Sequence, residues 1–210
     1  MPPTTVSRLS IVIPLAIFLS AAAAAQDPSP APLPAPQTGG GRPLMQVLKE
    51  RTSQREFASE PLPPQVLSNL LWAAWGVNRP ESGKRTAPSP MNRQEMDVYV
   101  AVTDGLYVYE AKEHRLKPVA RGDLRALTGT QAYVGTAPVN LVYVSRGGDA
   151  AGGGIQAGLI SENVYLFCSS EGLATVVRGS INREPLAKAM KLGPEQKIVL
   201  AQSVGWPPKK

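Results

Sequence analysis

The sequence predicts an α+β domain with a mixed, mainly antiparallel central sheet flanked by helices. Helical and strand patterns follow one another without the regular strand–helix–strand alternation of a parallel sheet. Residues 43–210, which follow a proline-rich stretch, are enough for one well-buried core. The 43% apolar and 18% charged residues are typical of a globular protein and not of a disordered one.

Residues 1–25 are predicted to be a secretory signal peptide. Arg8 precedes an apolar run from Leu9 to Leu19, and small residues that suit cleavage follow up to Ala25. The run is roughly half of the ~20 residues that span a bilayer as a stable helix, so a permanent membrane anchor is the weaker alternative. We therefore expect a periplasmic or secreted protein that has no stable anchor after cleavage.

Residues 26–42 are predicted to be a linker. Proline occupies every second position from Pro28 to Pro36, and three glycines follow. This composition favours an extended tether that ends in a flexible joint. The folded domain then comprises residues 43–210.

Within the domain, apolar periodicity and turn residues predict the elements in order. Asp104-Gly105 is a hairpin turn signal, and Gly172 is a helix C-cap. The predicted helices are Leu44–Glu50, Pro64–Trp75, a short one at Asp123–Leu127, a long one from about Ile155 to Glu171, and Glu184–Lys191. The predicted strands are Met96–Thr103, Leu106–Glu110, Val139–Ser145, Leu173–Val177 and Lys197–Val204.

One cysteine and one histidine limit the possible chemistry. They exclude a disulfide framework within the chain and zinc sites that draw four Cys or His ligands from one chain. Cys168 lies in an apolar run and is expected in the core, while His114 is expected at the solvated surface. The net charge of +6 favours anionic ligands or surfaces, and by itself it does not indicate nucleic acid.

A glycine-rich stretch offers one candidate ligand site. The strand at Val139–Ser145 followed by Gly152–Ala157 resembles the loop that holds a dinucleotide pyrophosphate. The intervening loop is long, and no acidic residue follows about 20 residues later to bind a ribose hydroxyl. A plain glycine loop is therefore favoured, and a nicotinamide enzyme is the minor alternative.

Grouped basic residues give a better candidate. Arg51-Thr52-Ser53-Gln54-Arg55 combines two guanidinium groups with two hydroxyls, which suits a phosphate, although a solvated helix end would have the same composition. The stretch from Arg85 to Gln94 is a polar loop just before a strand, where ligands often bind.

These motifs together resemble one family. Arg51-x-Ser53-x-Arg55, then Leu71–Gly76, then Arg85–Ser89 with Asn92 and Gln94, is similar to the FMN-dependent nitroreductases. The greatest similarity is to the branch of thiazoline and oxazoline dehydrogenases in peptide-modifying systems. The long apolar helix and the last strand, which runs into Gly205-Trp206-Pro207, agree in order, so the resemblance covers Leu44 to Lys210.

The resemblance implies a nitroreductase-like fold, FMN as cofactor, and a homodimer with FMN at the interface. It also implies roles for individual residues. The FMN phosphate would be held by Arg51, Thr52, Ser53, Lys209 and Lys210. Arg55 would lie at the pyrimidine edge of the flavin, and the loop with Arg85, Pro88, Ser89 and Asn92 along its ring and ribityl chain. Arg178, Gly179 and Ser180 would lie near the reactive flavin N5.

The expected function is that of an exported FMN-dependent oxidoreductase acting by a two-step exchange of electrons or hydride between small molecules. No side chain need act as an acid or a base, because the flavin supplies the reactive atom. The alternative is a catalytically inactive flavin- or small-ligand-binding protein of the same fold. Pro90 and Arg178 motivate it, since both depart from residues common in the family.

Overall fold

The computed structural model describes Met1, residues 30–147 and residues 150–209. The predicted signal peptide and Lys210 lie outside the described residues, apart from Met1. Among the helices of the described ranges, none is long and apolar enough to cross a membrane.

A seven-stranded sheet forms the centre of the domain, and its order is β1-β6-β5-β4-β7-β9-β8. Every pairing between its strands is antiparallel. A separate two-stranded ribbon joins β2 to β3. The strands are β1 Ala31–Pro32, β2 Val77–Arg79, β3 Lys84–Arg85, β4 Met96–Val102, β5 Gly105–Glu110, β6 Arg115–Arg121, β7 Val139–Ser145, β8 Ala174–Arg178 and β9 Lys197–Gly205.

Helices cover both faces of the sheet. They are α1 Leu44–Glu50, α2 Pro64–Trp75, α3 Ala150–Glu171 and α4 Arg183–Ala189. Alternate residues of β7 show the layering: Leu141 and Tyr143 pack in the core cluster that includes residues of α2 and α3, while Val142 and Val144 pack with residues of α4. The predicted α+β class is thereby confirmed.

Most predicted elements are present with small shifts, and two predictions need correction. The strands β1, β2, β3 and β6 are absent from the prediction. Residues 152–154, predicted to belong to a glycine loop, lie in the first turns of α3, which begins at Ala150. The segment that connects β7 to α3 therefore comprises only residues 146–149.

The proline-rich segment is docked on the domain, so the expectation of a free tether is wrong for its described part. Residues 31–42, which we call the strap, remain extended as predicted. β1 pairs with β6 at the edge of the sheet, and the Arg42 backbone N–H donates to Ser170 Oγ at 3.0 Å. A composition typical of linkers thus forms part of the folded surface.

The single cysteine and the single histidine differ in how well their predicted burial agrees with the structure. Cys168 is fully buried, as predicted, and this burial raises the pKa of its thiol well above the ordinary range. His114 is half-buried and is bonded through both ring nitrogens, so the prediction of a solvated histidine is wrong. The strap covers it from one side, through a contact that no local sequence pattern could indicate.

Candidate functional site

The first basic motif lies in an extended segment along the free edge of β8. The helix α1 ends where Arg51 takes an extended ψ of 124°. The Gln54 backbone N–H then donates to Thr175 O at 2.9 Å, and Ala58 N–H donates to Trp206 O at 2.9 Å. These bonds fix the segment against the last two strands of the sheet.

Arg51 and Ser53 meet at one tyrosine of α3. The Arg51 guanidinium lies 5.1 Å from the centre of the Tyr165 ring, and Ser53 Oγ is 2.8 Å from the Tyr165 hydroxyl. The same hydroxyl accepts a hydrogen bond from the Val177 backbone N–H at 3.0 Å. Tyr165 therefore orients the basic motif relative to β8, and a cation above a ring face is held without losing its N–H donors.

The opposite side of this segment borders a small polar cavity of about 180 Å³. Thr52 and Gln54 line it together with Pro207, so the C-terminal residues pass beside the motif. Lys209 extends into solvent, with its Nζ 4.0 Å from a Glu60 carboxylate oxygen. The structure thus brings three of the predicted phosphate ligands, Arg51, Thr52 and Ser53, into the neighbourhood of the C-terminal lysine's segment.

Among the described residues, the two arginines of the motif are unpaired, although Glu50, which pairs with Arg42, lines the adjacent cavity. Within the part of the chain that the structure describes, no carboxylate forms an ion pair with Arg51 or Arg55. Arg55 is exposed, while Arg51 is half-buried. Guanidinium groups with spare donors and no counter-charge suit an anion such as a phosphate.

The second predicted motif uses its arginine differently. Arg85 Nε donates to Gln94 Oε1 at 2.7 Å, and one of its terminal nitrogens donates to Trp75 O at 3.0 Å. Its guanidinium also lies 4.9 Å from the centre of the Trp75 ring. Arg85 thus fastens the loop to the end of α2.

Gln94 organises the rest of this loop. Its backbone N–H donates to Ser89 Oγ at 2.7 Å, and its side-chain amide donates to Asn92 Oδ1 at 2.9 Å and to Gly83 O at 3.0 Å. Met91, Asn92 and Gln94 all have positive φ angles between 51° and 55°. Backbone in this region costs free energy in non-glycine residues, so the bonds to Gln94 hold a loop shape that the chain would not adopt alone.

Arg178 is turned away from the surface. It is 6% exposed, and its guanidinium donates to Thr128 O and Thr128 Oγ1, to Asn140 Oδ1 at 2.7 Å and to Ser203 Oγ at 3.2 Å. All of these acceptors are neutral, and burial lowers the pKa of Arg178 to about 10, so it remains charged at neutral pH. A methyl group at Gly129 would overlap this guanidinium, which explains a glycine there.

The residues after Arg178 are accessible. Gly179 and Ser180 are exposed, and Ser180 O accepts a hydrogen bond from the Thr130 backbone N–H at 3.3 Å. The backbone of this turn is thus anchored from below by Arg178 and from the side by Thr130. Its free face is available to a ligand.

The strand beside the basic motif and the strand after the polar loop occupy different parts of the sheet. Through the sheet, Thr175 beside the basic motif is in register with Val139 of β7, whereas Met96 after the polar loop pairs with Ser145. This is six residues, or about 20 Å, along the strands, and three strand spacings, or about 14 Å, across them. These two strand positions are therefore roughly 25 Å apart in the sheet.

Sequence reasoning missed two organising residues of the site. Tyr165 carries the only hydroxyl in the apolar run Val164–Cys168, and an isolated hydroxyl in such a run is a signal that could have identified it. Gln94 was noted only as part of the motif, and its role depends on positive φ angles that the sequence does not reveal.

Comparison with known proteins places this geometry in context. A model of the nitroreductase family matches residues 48–206. A protein of Methanocaldococcus jannaschii, provisionally named a nitroreductase, is 32% identical over 170 residues, which are 71% of this chain and 84% of that protein.

Solved structures share the fold. A protein of Ralstonia eutropha JMP134, also provisionally named a nitroreductase, has a TM-score of 0.83 and 42% identity, with 88% of this chain and 92% of that chain covered. A chain of the Escherichia coli microcin synthetase complex has a TM-score of 0.63 and 18% identity, with 82% and 77% covered, which reflects likeness of fold alone.

Proposed function

Since the chain belongs to the nitroreductase family, we propose that it is an FMN-dependent oxidoreductase that works as a homodimer outside the cytoplasm. The observation that carries the proposal is the basic motif at the edge of β8. Arg51 there lies over the Tyr165 ring, Ser53 is bonded to the Tyr165 hydroxyl, and the exposed Arg55 follows two residues later. When bound there, FMN would supply the chemistry, by accepting and donating electrons or hydride at N5.

The residues present fit such a cofactor. The phosphate needs donors without a counter-charge, and Arg51, Thr52 and Ser53 provide them next to the C-terminal segment with Lys209. We assign Arg55 to the pyrimidine edge, where a cation favours the reduced and more negative ring. The exposed turn at Gly179 and Ser180 offers backbone N–H groups to the ring.

The homodimer is proposed from the resemblance to the family and from an exposed apolar surface. We assign the loop with Pro88, Ser89 and Asn92 to the ring and ribityl chain of the flavin, as the resemblance implies. Exposed apolar side chains on two helices give a surface for this association, namely Leu44, Met45 and Leu48 of α1, and Ile155 and Leu159 of α3.

The protein's own part in the reaction is binding and electrostatics. Cys168 is buried with a raised thiol pKa, and His114 is bonded on both nitrogens beneath the strap, so neither is placed to transfer protons to a substrate. Charge held in fixed positions, by Arg51 at the phosphate and Arg55 at the ring, is then the main contribution of the side chains.

We propose export because residues 1–25 have the pattern of a signal peptide. We propose membership of the thiazoline and oxazoline dehydrogenase branch because the motifs occur in the order typical of that branch. Outside the cytoplasm a nicotinamide donor would be scarce, which leaves a quinol, a partner protein or an oxidisable substrate as classes of donor. The acceptor is a small molecule.

The test is an absorbance spectrum of the purified protein, before and after addition of FMN and desalting. We expect the bands of bound oxidised flavin at about one copy per chain, and their loss in Arg51→Ala but not in the matched control Arg93→Ala. Arg93 is exposed, and its guanidinium donates to Met91 Sδ at 3.5 Å. A protein that retains no FMN would contradict the proposal.

One observation favours the alternative of a flavin-binding protein without turnover. The guanidinium groups of Arg85 and Arg178 donate hydrogen bonds to other groups of the protein. These two cations near the proposed site are therefore not available to bind a substrate. Bound flavin that can be photoreduced but is not reoxidised by quinones or nitro compounds would support this alternative.

A further inference from the structure

The strap is held to the domain through its backbone at residues 33–37. It is also held by the Leu33 side chain, which packs against the core, and by the Arg42 side chain, which donates to Ser169 O and Ser170 O. Its prolines have no N–H, and the backbone groups that remain find partners on β6 and α2. These bonds are Leu33 N–H to His114 O at 3.2 Å, Ser68 Oγ to Pro34 O at 2.6 Å, Gln65 Nε2 to Ala35 O at 2.9 Å, and Gln37 N–H to Asn69 Oδ1 at 2.8 Å. Recognition of this kind selects an extended chain more than particular side chains.

His114 is the point where the strap, α2 and β5 meet. Its Nε2 is 2.7 Å from Ser68 Oγ and 3.1 Å from Pro34 O, and its Nδ1 is 2.8 Å from the Tyr109 hydroxyl. Ser68 is fully buried and Tyr109 is 5% exposed. Polar groups in such a place need every hydrogen bond they can form.

We assign a neutral ring protonated at Nε2, because Pro34 O beside Nε2 can only accept a hydrogen bond. Ser68 has one hydroxyl hydrogen, which it donates to Pro34 O, so Ser68 Oγ accepts from His114 Nε2–H. His114 Nδ1 then carries a lone pair that accepts from the Tyr109 hydroxyl. With a neutral imidazole, every hydrogen in this chain of bonds has an acceptor.

A second proton on His114 breaks this arrangement. Nδ1 would become a donor, and the buried Tyr109 hydroxyl would lose its acceptor. No carboxylate in the described ranges bonds the ring, and α2 carries no charged residue. The nearby charges lie on the neighbouring strands and turn: Glu113 and Arg115 flank His114, Glu110 pairs with Arg115 and Lys117, and Arg85 acts on Tyr109.

We propose that the cleft between β6 and α2 is a binding site for an extended peptide with proline at alternate positions, that residues 31–37 of the chain are its resident occupant, and that protonation of His114 releases them. This inference does not depend on the proposed redox function. It concerns the opposite edge of the sheet from the basic motif.

The direction of the pH dependence follows from the environment of the ring. Burial lowers the pKa of His114 below its ordinary 6.5, and the bond to Pro34 O opposes this only in part. A histidine whose pKa is lower in the docked state favours docking while it is neutral. Docking is therefore complete above the ordinary pKa and weakens as the pH falls through the lowered value.

The experiment is residue-resolved hydrogen–deuterium exchange by NMR on the full chain, at about pH 7.5 and about pH 5, with each rate divided by the intrinsic rate at that pH. The reporters are the Leu33 and Gln37 amides. The matched control is the Gln54 amide, which is bonded to Thr175 O in another extended segment. We expect the protection of the two reporters to fall several-fold at the lower pH while that of Gln54 stays constant.

Two variants distinguish release of the strap by protonation of His114 from a general weakening of its docking. His114→Gln retains a side-chain donor toward Ser68 and Pro34 but cannot be protonated, so its reporters should stay protected at both pH values. Ser68→Ala removes a bond to Pro34 O, so its reporters should be less protected at both. Unchanged protection in the wild type, the same fall in His114→Gln, or a parallel fall at Gln54 would each overturn the proposal.

Discussion

The two open arginines of the basic motif, Arg51 and Arg55, contrast with the two enclosed arginines, Arg85 and Arg178. Arg51 rests on a tyrosine ring and Arg55 extends into solvent, so both keep donors free. Arg85 and Arg178 instead donate to carbonyls, amides and hydroxyls of the protein itself. The sequence analysis placed all four beside the cofactor, and the structure divides them into two with free donors and two whose donors are bonded within the protein.

The largest effect is expected for Arg178→Met. Removal of the guanidinium leaves Thr128 O buried without a donor and takes from Asn140 Oδ1 one of its two donors, the other being Ser203 Oγ at 2.6 Å. The free energy of unfolding should therefore fall by about 3 kcal/mol or more. Chemical denaturation measures it, and Arg55→Met, a matched change at an exposed site, should stay within about 0.5 kcal/mol. Equal effects at the two sites would remove the distinction between open and enclosed arginines.

Arg51→Ala should act on binding and not on folding. Loss of a charge-assisted bond to the phosphate should weaken FMN binding by about 1.5–3 kcal/mol, while the free energy of unfolding without FMN changes little. Flavin fluorescence titration and denaturation of the same samples test both parts. Unchanged FMN affinity would exclude Arg51 from the site.

Arg85→Met should lower both the free energy of unfolding and the affinity for FMN, each by less than the preceding variants. The loop would lose the bonds to Gln94 and Trp75 O, which should lower the free energy of unfolding by about 1–2 kcal/mol. FMN affinity should fall less than in Arg51→Ala, because only the support of the loop is lost. A larger fall would mean that Arg85 contacts the cofactor directly.

The smallest effect is expected for Arg55→Ala. Because Arg55 is exposed and screened by solvent, its removal should weaken binding of oxidised FMN by less than about 1 kcal/mol. The reduction potential of the bound flavin should fall by more, in free-energy terms, than the binding does. Potentiometric titration of wild type and variant gives the ranking, and the reverse order would contradict the assigned role.

Local sequence patterns were sufficient for many elements. The helices Leu44–Glu50 and Pro64–Trp75 and the strand Val139–Ser145 lie exactly where they were predicted, because proline marks each helix start and apolar spacing marks the rest. The strand β6 was missed because Lys117-Pro118 interrupts its pattern, which an outer strand tolerates where a central one would not.

The candidate site was only partly predictable. A sequence motif singles out Arg85 and Arg178 as candidate site residues. It does not indicate whether their hydrogen bonds go to the protein or to a ligand. That choice depends on Gln94 for one and on Thr128 and Asn140 for the other, and the latter two are 50 and 38 residues distant from Arg178. The docking of the strap likewise depends on Ser68 and His114, which no pattern within the strap could reveal.

The alternation of proline in the strap also protects the sheet against growth. Residues of the strap whose N–H points toward the domain, such as Leu33, alternate with Pro30, Pro32 and Pro34. The positions that point away from the sheet are therefore prolines, which have no N–H. A strand from a neighbouring molecule would find no N–H donors at these three positions, which disfavours edge-to-edge pairing there. The prolines between the residues that bond the strap to the domain therefore protect this part of the edge against aggregation.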